Sequence, residues 1–162
     1  MSAPVSIHEV RQAQLPHNLF IAGLFVFDLL MTPAIIGLKI GMIGMLIPLL
    51  CSVSLIAYLH LRGRRRVSAF VDAHWQLACK RGRLLMLGYA ISAALILLAW
   101  LVSLTARDAS MEHIMWIALT RVALVPTLIF VMITAVLEFS AYAQASKREL
   151  PGKATDTATP PA

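Results

Sequence analysis

The sequence predicts an all-α membrane protein, a bundle of four transmembrane helices with both termini on the cytoplasmic side. Three observations carry this. Of the 162 residues, 59% are hydrophobic and 14% are charged, whereas soluble domains run at roughly 45–50% and about 25%. The apolar residues are gathered in four blocks, each near the roughly 20 residues needed to cross a hydrocarbon core about 30 Å thick. The basic residues fall almost entirely on one side of those blocks. Residues 1–150 are therefore expected to form one four-span membrane domain, too small to carry a separate water-soluble domain beside it.

The expected spans are 18–38, 42–61, 84–105 and 114–137. Ahead of the first, Ser6 and Glu9 have the spacing of a capping box, in which each satisfies a free amide at a helix start. A short surface helix over 7–15 is expected from it. A secretory signal is not expected, since there is no basic start and no A-x-A cleavage pattern. The turn around Gly37, Lys39 and Gly41 is short, so the second span must return antiparallel to the first. The tail 151–162 has no apolar residue larger than alanine and is expected to be disordered in the cytoplasm.

Orientation follows from counting Lys and Arg. The N-terminal segment, the 62–83 loop and the C-terminal segment share one side and carry eleven, while the other side carries Lys39 and Arg107. The positive-inside rule places the eleven in the cytoplasm of a plasma or inner membrane. Trp100 and Trp116 then mark the outer interface, and Tyr58, Trp75 and Tyr142 the inner one. The loop residues Arg62, Arg64, Arg65, Arg66, Lys80, Arg81 and Arg83 are expected to contact anionic lipid headgroups. A basic cluster beside apolar blocks is a topology signal, so the sequence pI near 9.9 does not point to nucleic acid. Within this loop Val67, Phe70, Val71, Trp75 and Ala78 recur at helical spacing. Two readings fit: an interfacial helix resting Phe70 and Trp75 among headgroups, or a span that extends as a helix into the cytoplasm.

Two ionisable residues fall inside the spans, Asp28 and Arg121. Each costs about 2.5–3.5 kcal/mol at a span centre, so each needs a partner. At 1.5 Å per residue, Asp28 lies roughly 15 Å above the inner face and Arg121 roughly 10 Å below the outer one. In a 30 Å core these levels differ by about 5 Å, and an ion pair between the first and fourth spans is expected. A neighbouring subunit is the alternative partner for either. Pro33 and Pro126 each follow a charge by five residues and are kink candidates, expected to leave the carbonyls of Leu29 and Val122 without a donor.

The remaining chemistry is sparse. Cys51 and Cys79 have neither disulfide nor metal spacing, and the chain has no H-E-x-x-H, C-x-x-C, G-x-S-x-G or Walker loop. No catalytic residue, cofactor or metal is expected. His17 and His60, at the inner ends of the first two spans, offer one alternative, axial ligation of a b-type haem; His74 on the basic loop could join a metal site on that side. The leading expectation is a small accessory, anchoring or assembly subunit that associates with a homo- or hetero-oligomeric membrane partner. The alternatives are an oligomeric proton- or cation-coupled transporter using Asp28, and a haem redox protein using His17 and His60.

Overall fold

The computed structural model describes residues 5–38, 43–106 and 108–151. The turn residues Lys39 and Gly41, the basic residue Arg107 and nearly all of the expected disordered tail lie outside these. The described residues are helical throughout, with no strand among them. In chain order they form α1 (Ile7–Gly23), a π-helical segment (Leu24–Met31), α2 (Thr32–Gly37), α3 (Leu46–Arg62), α4 (Ala69–Ser103), α5 (Ala109–Ala123) and α6 (Val125–Ser146). Three stretches, Ile7–Gly37, Ala69–Ser103 and Ala109–Ser146, are long and apolar enough to cross a membrane, and α3 is a shorter apolar helix.

Helix α1 starts where the capping box places it. The Glu9 N–H donates to the Ser6 hydroxyl at 3.2 Å, and the Ser6 N–H donates to the Glu9 carboxylate at 2.9 Å. The expected surface helix is not separate from the first apolar block. Helical backbone continues through Pro16 and into the π segment. Pro33 brings no N–H to the ladder, and beside it the Thr32 hydroxyl donates to the Phe27 carbonyl five residues back, at 3.1 Å. The carbonyl expected to lose its donor was Leu29's, on an α register that this segment does not keep.

Pro126 acts differently. Helix α5 ends at Ala123 and α6 begins at Val125, with the Leu124 N–H donating to the Arg121 carbonyl at 3.3 Å. The break exposes new amides at the start of α6, and the chain answers one of them from α4. The Thr127 N–H donates to the buried Ser92 hydroxyl at 3.2 Å, and the Thr127 hydroxyl meets the same oxygen at 2.8 Å. Ser92→Ala is expected to cost about 1–3 kcal/mol, the penalty of an unsatisfied buried donor. Thermal denaturation in detergent checks it, with Ser103→Ala as the milder control, since Ser103 bonds only within its own helix, to the Trp100 carbonyl.

The chain divides into two compact units, one holding residues up to Arg81 and from Ala135 onward, the other Gly82–Thr134. In the first, Ala13, Phe20, Leu24, Leu59, Phe70, Val71, Trp75, Ala78, Ala141 and Ala145 are buried. A methyl added at Gly23 would run into the Leu55 side chain, so α1 and α3 approach closely there. In the second, Gly88 lies against Phe130.

The basic loop resolves in favour of helix extension. From Phe70 onward its periodic segment belongs to the 35-residue α4, and Phe70, Val71, Trp75 and Ala78 are covered by protein, while Val67, ahead of the helix, is exposed. Phe70 and Trp75 are 6% and 3% exposed, so neither rests among headgroups, and Trp75 is no interfacial marker. Alternation at helical spacing identifies a face to be buried, and here other helices of the chain bury it. The Arg62 guanidinium lies 5.2 Å from the Trp75 ring centroid.

Candidate functional site

Three fully buried polar side chains of the first unit, and the half-buried Arg81, gather on three helices. α1 contributes His17, one turn before the aromatic Phe20, on the same buried face as Ala13 and Pro16. α4 contributes His74 and Arg81, which are seven residues apart and so fall on one face at two turns' spacing. α6 contributes Glu138. His17, His74 and Glu138 are all fully buried.

They are joined end to end. His17 Nδ1 lies 2.5 Å from Glu138 Oε2. The other nitrogen of the same ring, Nε2, lies 3.1 Å from His74 Nδ1. His74 Nε2 lies 3.2 Å from the backbone carbonyl of Glu149, beyond the end of α6. The second oxygen of Glu138, Oε1, faces the Arg81 guanidinium at 3.7 Å without a hydrogen bond. Arg81 Nη1 also donates to the Leu137 carbonyl at 2.5 Å. Phe70 packs edge-on against His74, with ring centroids 4.9 Å apart. A buried carboxylate is tolerable only when paired and hydrogen-bonded, and here an imidazole and a guanidinium do both.

The expected residues are distributed unevenly around this cluster. His17 is central to it, but both of its ring nitrogens are engaged, and His60 is exposed near the end of α3. A haem iron bound by His17 would have to displace Glu138 or His74, so these residues do not fit a haem as they stand. Among the described residues no group of three or more His, Cys, Asp or Glu side chains converges as a metal site. Glu138, His17 and His74 form a line, each hydrogen-bonded to the next, where a metal would need them pointing at one centre. Of the basic loop residues, Arg64, Arg65, Arg66, Lys80 and Arg83 are exposed. Arg62 and Arg81 are half-buried, with Arg62 over the Trp75 ring and Arg81 facing Glu138.

Asp28 sits in the π segment, half-buried, and accepts a hydrogen bond from the Ser52 hydroxyl of α3 at 3.0 Å. Arg121 belongs to the other unit and is exposed on α5. Glu138 was not singled out by its sequence. The one available signal is its position, an acid immediately after a long apolar block in a chain with only eight Asp and Glu.

No family model matches the chain, and no curated protein or solved structure shows significant similarity to it.

Proposed function

We propose that the chain is a four-span protein of a plasma or inner membrane that acts by association, as an accessory, anchoring or assembly subunit of a larger membrane complex. In this reading the three long apolar stretches and α3 are the four spans. At 17 residues α3 is about 26 Å long, at the short end of what crosses a bilayer. The basic bias of the 62–83 loop puts that loop and both termini in the cytoplasm.

The observation that carries association is Arg121. It is exposed in the middle of an apolar helical stretch, and neither of the two ion pairs among the described residues includes it. A guanidinium facing lipid costs about 2.5–3.5 kcal/mol at mid-depth, which an acidic group on a partner helix would offset. The test is native mass spectrometry of the protein extracted in mild detergent. The wild type is expected as a complex that Arg121→Leu dissociates. A monomeric wild type would overturn the reading. So would paired losses of abundance in Asp28→Asn and Arg121→Gln that the double change restores, since the acid would then be Asp28 of the same chain.

A second reading, a proton- or cation-coupled transporter, draws on Asp28 itself. π-helical segments occur often at functional sites, and this one holds the acid against Ser52. Loss of a proton-coupled flux in Asp28→Asn at unchanged protein level would favour transport over association.

A further inference from the structure

The polarity of the hydrogen bonds around His17 fixes a proton count. Three bonds run in series: Glu138 to His17, His17 to His74, and His74 to the Glu149 carbonyl. Each needs one hydrogen. The carbonyl can only accept, so His74 Nε2 must carry a hydrogen. Two neutral imidazoles supply two hydrogens between them. The third must be an added proton, held on His17, on His74 or on the Glu138 carboxyl, and each of these placements completes all three bonds. With that proton, the carboxylate and two imidazoles sum to zero charge.

Withdrawing the proton leaves two hydrogens for three bonds. Two lone pairs then face each other somewhere along the line. Adding a further proton instead sets two N–H groups head to head between the rings. Either change breaks the series, whose longest link, at 3.2 Å, is the one where a ring meets a backbone carbonyl in the segment after α6. That segment turns sharply: Arg148 has a positive φ of 62°, and its N–H bonds to the Ala145 carbonyl.

We propose that Glu138, His17 and His74 form a binding site for a single proton, and that its occupancy holds the Glu149 segment against α4. The charged and titratable groups facing the site are His17 from α1, His74 and Arg81 from α4, and Glu138 from α6. Arg62 of α3 is turned to Trp75 instead. The occupied site is docked; rising pH empties it and releases the segment.

Glu138→Gln separates this from a merely structural cluster. A glutamine amide can donate its own N–H to His17 Nδ1, so all three bonds are complete with neutral imidazoles and no titratable proton is needed. The experiment is hydrogen–deuterium exchange of the full-length protein in nanodiscs from about pH 6 to about pH 9.5, the range that brackets imidazole titration. Peptides covering 143–151 are followed, after correction for the intrinsic rate. In the wild type, protection is expected to fall by about tenfold per pH unit beyond the titration, the slope of a one-proton linkage. In Glu138→Gln it is expected to stay flat over the same range. A wild type with pH-independent protection would overturn the proposal whether or not the variant folds. A variant that follows the wild-type curve would overturn it equally.

Discussion

Replacing Glu138 with alanine is expected to cost about 3–5 kcal/mol, the penalty for removing one partner of a buried ion pair. The magnitude comes from what is left behind. His17 is fully buried, and the Arg81 side chain is 12% exposed. Among the described residues both lose their acid partner: the Arg81 guanidinium is left desolvated without a counter-ion, and the His17 ring is left without a hydrogen-bond partner at Nδ1. Glu138→Gln is expected to cost clearly less, because the amide still reaches His17. Thermal denaturation of detergent-solubilised protein gives the comparison. If the alanine variant melted with the wild type, the cluster would contribute nothing to the fold.

Gly88→Ala is expected to be the largest effect of a single added methyl group, about 1–3 kcal/mol on the scale of overpacked cores. A Cβ there would stand 2.6 Å from the Phe130 Cβ and 2.8 Å from its Cγ. Those atoms are fixed close to the α6 backbone and cannot swing aside, so α4 and α6 would have to part. Parting would also stretch the bonds from Thr127 to Ser92 and to the Gly88 carbonyl. Gly23→Ala makes the useful contrast, because the obstacle there is the far end of the Leu55 side chain, which can rotate. Adding Phe130→Ala to Gly88→Ala should return part of the loss, giving a double-mutant cost below the sum of the two singles. Simple additivity in thermal unfolding would mean that the two side chains do not meet.

The helical architecture was legible because its signals are local. Hydropathy over some twenty residues, the Ser6–Glu9 spacing and the stripe from Val67 to Ala78 each report on a short window of chain. What the windows lack is the identity of the opposing surface. The stripe with Phe70 and Trp75 reads equally well as lipid-facing or protein-facing, because both surroundings are apolar on one side. The π register around Asp28 escaped for a related reason: Pro33 announces a missing donor, but not the helical register that the residues before it adopt. The buried cluster was the least legible. His17 and His74 stand out as histidines, yet a haem remains one alternative for His17 because Glu138, 121 residues away, gives no sign in the sequence of reaching it. A single acid at the end of an apolar block looks like an interfacial residue until its partners are known.

That same separation sets a timetable for biogenesis. His17 is made early, whereas the carboxylate that bonds it arrives 121 residues later, which at translation rates of 5–20 residues per second is about 6–24 s. Until then the nascent chain carries a histidine and an arginine destined for burial with nothing to receive them. Helices synthesised first must wait for the last one, and a chain interrupted before Glu138 is a substrate for quality control rather than a shortened version of the protein.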